Sequence, residues 1–111
     1  MNERIGPSIT GVGMYVPKLV VGNDDLRRRG LDTTNEWIEK NTGIRNRRIA
    51  SPEEATSDLA TIAAKEALDM AHLEPDRVGE IVVATATPDY IFPSTASRVQ
   101  DNLQATHAGA L

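Results

Sequence analysis

Two arginine clusters and a single tryptophan are the residues of this 111-residue chain best suited to bind a ligand. Three arginines stand at 27–29, and Arg45, Arg47 and Arg48 form the second cluster. Guanidinium groups match phosphate oxygens, so an anion site is one interpretation; a solvated face with neighbouring glutamate partners is the more ordinary one. Trp37, near these arginines, is either a core residue or a flat surface on which a nucleotide base stacks. The spacing alone does not choose between these alternatives.

The histidines and paired acids give weaker signals. His72 falls at a predicted helix end and His107 near the last residue, without the HExxH spacing of a metal site. The acidic pairs at 24–25 and 53–54 are better explained by helix capping and solubility than by general acid–base catalysis. The chain contains no cysteine, which excludes a thiolate metal site, a disulfide and a cysteine nucleophile within these residues. We therefore predict no metal site.

Gly11 and Gly13 look like the opening of a dinucleotide-binding fingerprint. Val16 occupies the position of the third glycine, Pro17 follows it, and no helix is predicted to begin there. Without a helix N-terminus nothing would hold a pyrophosphate. The glycines are better explained by a close approach of the backbone to a neighbouring element.

The helices that carry these residues are predicted from the periodicity of apolar residues and from helix-capping residues. Four helices are predicted: 24–29 with Asn23 as its N-cap, a second from near Thr34 to Gly43, a long one from Thr56 or Ser57 to about residue 71, and a last one opening at Ser94. The long helix has small apolar residues at helical spacing, at positions 60, 63, 64, 67, 68 and 71. Because most of them are alanine, this helix can lie close to its neighbour.

Strands are predicted at 8–17 and at 81–86, and residues 44–50 are interpreted as either a short exposed strand or an extended arm. The strand at 81–86 is continuously apolar and β-branched, which is typical of a strand buried on both faces of a parallel sheet. Residues 106–111 are interpreted as the approach to a further strand. Helices alternating with strands favour an α/β fold with helices covering a central sheet.

Composition bounds the class of protein. A net charge of −4 argues against a nucleic-acid binder, and 40% hydrophobic with 25% charged residues is typical of a soluble globular chain. No apolar run approaches the roughly 20 residues that span a bilayer, and the first residues lack a signal-peptide core. Cytoplasmic localisation is the expectation.

Taken together, several motifs are more specific than any one of them. In order, they are GVGMYVP at 11–17, NDDL at 23–26, DTTNEWI at 32–38, TGIRNRRIA at 42–50, IVVAT at 81–85 and FPSTA at 92–96. Their order and spacing resemble the N-terminal region of β-ketoacyl-acyl-carrier-protein synthase III, the initiating condensing enzyme of type II fatty-acid synthesis. The resemblance covers essentially the whole chain. It implies a thiolase-like fold, which is layered αβαβα in the full enzyme.

The resemblance also implies an activity. An acyl group passes from coenzyme A to a cysteine, and malonyl-acyl carrier protein then loses carbon dioxide and attacks the thioester. The family's Cys-His-Asn set has no counterpart here, so residues 1–111 are interpreted as an incomplete N-terminal domain that ends before the nucleophile. No catalytic residue is predicted, and the isolated chain is expected to be inactive. The family implies no cofactor, a homodimer, and acyl-coenzyme A and acyl carrier protein as partners.

Four residues carry over from the family by position. Trp37 matches a tryptophan that stacks on the adenine of coenzyme A, and Thr33 a threonine that contacts the same base. Asn41 stands where an arginine often meets the phosphates, a change that removes a charge. Phe92 matches a phenylalanine that closes the acyl pocket across the dimer interface.

Two other functions remain open. One is a related thiolase-like acyltransferase, such as 3-hydroxy-3-methylglutaryl-coenzyme A synthase or a synthase of secondary metabolism. The other is a non-catalytic segment that binds coenzyme A or pairs with a full-length partner.

Overall fold

The computed structural model describes residues 6–111, which fall into two compact units. The smaller unit is Val16–Glu54; the larger joins the described residues up to Tyr15 to Ala55–Leu111. In chain order the elements are β1 (Leu19–Gly22), α1 (Asn23–Arg28), α2 (Asn35–Thr42), β2 (Asn46–Ile49), α3 (Thr56–Ala71), a 3₁₀ turn (Pro75–Arg77), β3 (Glu80–Ile81), α4 (Thr95–Leu103) and β4 (Gly109–Ala110). The mixture of helices and strands confirms the predicted α/β class.

An antiparallel ribbon and two helices make up the smaller unit. β1 and β2 pair from Leu19 opposite Ile49 to Gly22 opposite Asn46. The prediction of an extended segment at 44–50 is therefore confirmed as β2, while its partner β1 was not predicted. The ends of α2 agree with the sequence: the Thr34 hydroxyl accepts a hydrogen bond from the Trp37 amide, and Gly43 ends the helix at φ 72°.

Asn23 has a different role from the predicted cap. It is the first residue of α1, and the amide of Gly22 donates instead to the Asp25 carboxylate at 2.8 Å. The Asn23 side chain is 2% exposed and donates to the Ile44 carbonyl and to Asn35, while it accepts a hydrogen bond from Arg47 at 2.7 Å. It therefore joins α1, α2 and β2 from inside the unit.

In the larger unit, an extended segment lies against α3. The strand predicted at 8–17 is wrong, because the described residues pair no strand with this segment and a strand needs a hydrogen-bonded neighbour. Instead, the Met14 amide donates to the Glu66 carboxylate at 2.8 Å. Gly11 and Gly13 lie so close to the α3 backbone that neither has room for a Cβ atom. The close approach expected of these glycines and of the alanine-rich helix is confirmed.

The core of the larger unit lies between α3 and α4. Its buried residues are Val99, Leu103, Ala105 and Ala108, and Ala60, Ala64, Leu68, Val78, Ile81 and Val83 pack against them. β3 and β4 form a parallel pair, Glu80 opposite Gly109 and Ile81 opposite Ala110. The strand predicted at 81–86 is regular only at its start, and Val82 is exposed. Because the Val82 side chain is 67% exposed, the predicted burial of this strand on both faces is wrong for this chain.

Candidate functional site

An open apolar hollow of about 500 Å³ lies beside the first turn of α2 in the smaller unit. Its lining residues are Leu26, Leu31, Asp32, Thr33, Thr34, Trp37 and Ile38. The volume lies within the range of about 300–1,000 Å³ that is usual for small-molecule sites. The Thr34 side chain caps the start of the helix by accepting a hydrogen bond from the Trp37 amide, which places Trp37 in the first turn of α2.

The exposure of Trp37 argues against one of its two interpretations. Its side chain is 61% exposed, so it is not a core residue of this chain. Ile38, its neighbour along the helix, takes the buried position instead. An exposed indole beside an apolar hollow can stack a flat aromatic ring, and the stacking interpretation is the one that agrees with this geometry.

Thr33 adds a polar group to the same hollow. Its hydroxyl is buried and has no hydrogen-bond partner among residues 6–111. A buried polar atom without a partner costs free energy, which makes this hydroxyl a candidate for contact with a ligand. The structure therefore brings Thr33 and Trp37 together.

Asn41 and Phe92 lie outside the hollow. Asn41 is exposed one turn beyond Trp37, and its side-chain amide donates to the Trp37 carbonyl at 2.7 Å. Phe92 belongs to the larger unit, where its side chain is 88% exposed in the loop before α4. Ile91 beside it is fully exposed.

The second arginine cluster is engaged within the smaller unit. Arg45 pairs with the Glu39 carboxylate at 2.7 Å, Arg47 binds Asn23, and Arg48 donates to the Pro17 carbonyl at 3.0 Å. In the first cluster Arg28 pairs with Asp25 at 3.2 Å. These contacts agree with the ordinary interpretation of the clusters rather than with an anion site.

A buried carboxylate in the larger unit was missed by the sequence analysis. Asp89 is 2% exposed at its side chain and accepts hydrogen bonds from the amide of Ser57, at 2.9 Å, and from the hydroxyl of Ser57. The Arg98 guanidinium lies 3.1 Å away and also covers the Tyr90 ring. We call Ser57, Asp89 and Arg98 the Asp89 cluster. In the sequence, Asp89 follows a proline and is indistinguishable from an ordinary turn residue.

The environment of Asp89 changes its pKa. Burial alone raises the pKa of this carboxyl, but the hydrogen bonds from Ser57 and the charge of Arg98 favour the ionised form more strongly. The net effect lowers the pKa of Asp89 below its ordinary value. The carboxylate also lies at the N-terminus of α3, where the helix dipole favours a negative charge.

The described residues contain neither a cluster of metal ligands nor a membrane-spanning helix. Within residues 6–111, no group of three or more histidine, aspartate or glutamate side chains is placed to hold a metal ion. Over the same residues, no helix is long and apolar enough to cross a membrane.

Several known proteins that are similar to this chain share one enzyme name. No protein-family model matches the chain. A β-ketoacyl-[acyl-carrier-protein] synthase III from Caldanaerobacter subterraneus subsp. tengcongensis is 52% identical over 110 residues, which are 99% of this chain and 33% of the relative. The same enzyme from Xanthomonas oryzae pv. oryzae is 45% identical over 111 residues, 100% of this chain and 34% of the relative. The chain thus spans about a third of the length of the curated relatives it matches.

The solved structures agree. The crystal structure of 3-oxoacyl-[acyl-carrier-protein] synthase III from Aquifex aeolicus VF5 superposes with a TM-score of 0.87 at 47% identity, over 96% of this chain and 34% of that one. By sequence and by fold, the chain corresponds to one part of a synthase III. The priming β-ketosynthase of the R1128 polyketide pathway has a similar TM-score of 0.86 but only 37% identity, over 91% of this chain and 30% of that one.

Similarity to synthase III accounts for the fold. The thiolase-like α/β fold predicted from the motifs is confirmed. The superposition on the Aquifex enzyme covers nearly the whole chain, so the α2 hollow and the Asp89 cluster both lie within a segment that has a counterpart in a synthase III.

Proposed function

We propose that the α2 hollow binds the adenine of coenzyme A, as one part of a synthase III that begins fatty-acid synthesis. The exposed indole of Trp37 beside an apolar hollow is the observation that supports this most strongly. An adenine ring stacked on Trp37 would cover an aromatic face that is otherwise in water. The buried hydroxyl of Thr33, which has no partner among residues 6–111, would contact the same base.

The uncharged side chain of Asn41 affects how the phosphates of coenzyme A would be bound. Asn41 follows Trp37 by one helical turn, where the family often has an arginine, and it carries no charge. Its amide also donates to the helix backbone. Base stacking therefore supplies most of the affinity, and phosphate contacts at this position supply little.

In the reaction we propose, acyl-coenzyme A and malonyl-acyl carrier protein give 3-oxoacyl-acyl carrier protein, carbon dioxide and coenzyme A. Coenzyme A is a substrate, and no cofactor takes part. The exposed Phe92 is proposed to close the acyl pocket of a second copy in a cytoplasmic homodimer. These 111 residues contain no cysteine, so the acyl-enzyme step is proposed for a cysteine elsewhere.

The fatty-acid reaction is favoured over a polyketide one. The chain is 47% identical to the Aquifex synthase III and 37% identical to the R1128 priming enzyme over similar lengths. The two folds agree equally well, so only the sequence separates the alternatives.

The fluorescence of Trp37 tests the binding proposal, because it is the only tryptophan. Coenzyme A and ADP are expected to quench it, whereas pantetheine, which has no adenine, is not. By calorimetry, Trp37→Ala is expected to weaken coenzyme A binding by at least about fivefold, the loss of one stacked base. Ile44→Ala, which alters an exposed apolar residue outside the hollow, is the matched control. Equal quenching by pantetheine, or an unchanged affinity in Trp37→Ala, would rule out base stacking.

The reaction has a separate test. These residues alone are expected to give no condensation of acyl-coenzyme A with malonyl-acyl carrier protein. Turnover above the buffer rate would contradict the assignment of the acyl-enzyme step to a cysteine.

A further inference from the structure

Polar contacts join the loop before α4 to two helices, α3 and α4. On the α3 side, the amide and the hydroxyl of Ser57 both donate to Asp89, and the Thr56 hydroxyl donates to the Thr87 carbonyl at 2.6 Å. On the α4 side, Arg98 approaches the same carboxylate at 3.1 Å. Residues 87–89 are therefore held at several points, although they form no regular secondary structure.

The next three residues behave differently. Tyr90, Ile91 and Phe92 are exposed apolar or aromatic side chains, and within residues 6–111 only Tyr90 among them has a ring contact, with Arg98. Tyr90 and Ile91 also form one wall of an apolar hollow of about 350 Å³, with Val83 and Thr95 among its other lining residues. Because these three side chains are largely exposed, apolar packing within residues 6–111 contributes little to placing the segment, and the polar contacts of the preceding residue carry more of that role.

We propose that Asp89 is a positioning residue, and that the Asp89 cluster fixes the segment 90–92 so that the apolar wall and Phe92 are presented in one conformation. Its importance for acyl-chain selection rests on the function proposed above for Phe92. Asp89 does not touch the acyl group; it acts through the segment that follows it.

The contacts of Asp89 favour a carboxylate at this position. The amide and the hydroxyl of Ser57 donate to the two oxygens of Asp89, and the positively charged Arg98 guanidinium lies 3.1 Å from one of those oxygens. In Asp89→Asn, the side-chain oxygen can still accept from the Ser57 amide, but the NH₂ then lies beside the Arg98 guanidinium and the negative charge is lost. That substitution therefore keeps the size of the side chain and removes the ion pair with Arg98 on the α4 side.

The composition of the chain provides a specific probe. Phe92 is the only phenylalanine and Trp37 the only tryptophan, so 4-fluorophenylalanine and 5-fluorotryptophan each give one ¹⁹F signal. The 4-fluorine lies on the axis of ring flips, so its transverse relaxation follows the mobility of the backbone and χ1 at Phe92. Trp37, in the other unit, is the reference.

The ratio of the Phe92 to the Trp37 relaxation rate is expected to fall by about twofold in Asp89→Asn, since faster local motion slows transverse relaxation. Ser57→Ala, which removes one donor but leaves the Ser57 amide, is expected to lower the ratio by less. Asp69→Asn, an exposed acid of α3, is the control and should leave the ratio unchanged.

Three results would overturn the proposal. They are an unchanged ratio in Asp89→Asn, an equal fall in Asp69→Asn, and a wild-type ratio equal to that in concentrated urea. A fall of both signals together in Asp89→Asn and Ser57→Ala would make Asp89 a general folding residue, and would also overturn it. Because no ligand is present, this test can fail while coenzyme A still quenches Trp37, and the reverse also holds.

Discussion

Gly13 lies against the backbone of Ala63, so close that a Cβ on Gly13 would sit 2.1 Å from the Ala63 carbonyl oxygen. Gly11 meets the Ala67 carbonyl oxygen in the same way, one turn further along α3. The two glycines follow the alanine-rich side of the helix and do not approach its N-terminus. Their spacing is thus explained by packing, without a bound nucleotide.

The close contact of Gly13 with α3 predicts that adding one methyl group at this position lowers the stability of the fold. Gly13→Ala is expected to lower the free energy of unfolding by about 1–3 kcal/mol, because the segment or the helix must move to make room. Urea denaturation followed by circular dichroism measures this. Gly79→Ala, where a Cβ would meet nothing within 4 Å, is the control and should have a small effect. Equal stability of the two variants would contradict the close packing.

Asn23 predicts a second effect on stability. Asn23→Ala leaves the Ile44 carbonyl and the Arg47 guanidinium without their buried partner. A loss of about 1–3 kcal/mol in the free energy of unfolding is expected from buried groups left unpaired. The matched control is Asn46→Ala, which removes an exposed amide from the same unit. A smaller loss for Asn23 than for Asn46 would show that the buried contacts contribute little.

The lowered pKa of Asp89 predicts how stability depends on pH. Since the folded state lowers this pKa, the ionised carboxylate stabilises the fold above the unfolded value of about 3.9. That contribution is lost as the pH falls below 3.9 and through the lower folded pKa. Urea midpoints measured from neutral to acid pH should therefore fall more steeply in the wild type than in Asp89→Asn. Parallel curves for the two proteins would mean that Asp89 is not the titrating group, and Asp69→Asn should follow the wild type.

Substitutions at Thr33 distinguish a structural role of its hydroxyl from a role in binding coenzyme A. Thr33→Val replaces a buried hydroxyl without a described partner by a methyl group, so the stability should be unchanged or slightly higher. If the hydroxyl contacts adenine, the affinity for coenzyme A should fall by about two- to tenfold, the value of one hydrogen bond. Thr33→Ser keeps the hydroxyl and should retain the affinity. A loss in Thr33→Ser as large as in Thr33→Val would point to the methyl group instead.

Asn41 predicts a gain of affinity. Asn41→Arg places a guanidinium one turn beyond Trp37, where it can reach a phosphate, and we expect coenzyme A to bind about fivefold more tightly at low salt. The gain should shrink as salt is added, because salt screens exposed charges. Calorimetry at two salt concentrations measures this, with Asn41→Gln as the uncharged control. An equal gain in Asn41→Gln, or one that salt does not change, would contradict a phosphate contact.

Local signals in the sequence predicted the helices well. Thr34 and Ser94 each cap a helix with their hydroxyl, and Gly43 ends α2 in the left-handed conformation. These features depend on a few adjacent residues, so the sequence contains them in full. The strands were predicted less well, because a strand is defined by its neighbour. The segment 8–17 has strand-like residues but pairs with no strand among those described.

For the candidate site, the resemblance carried by the motif at 32–38 predicted Thr33 and Trp37 as ligand-binding residues. It did not show that Trp37 is exposed, since the same spacing is compatible with a core residue. Exposure depends on which elements cover α2, and only the fold specifies that. The Asp89 cluster was missed for a similar reason, because Ser57 and Asp89 stand 32 positions apart and nothing local connects them.

The sequence by itself determined the α/β class, both ends of α2, the start of α4, the synthase III resemblance and the absence of a cysteine, because each depends on residue types at short spacing. The tertiary structure alone decided the exposure of Trp37, the burial of Asp89 and the contact of Gly13 with α3. All three depend on atoms that are far apart along the chain and meet only when it folds. The physical reason is that burial and hydrogen bonding are set by surroundings in space, which short-range patterns do not specify.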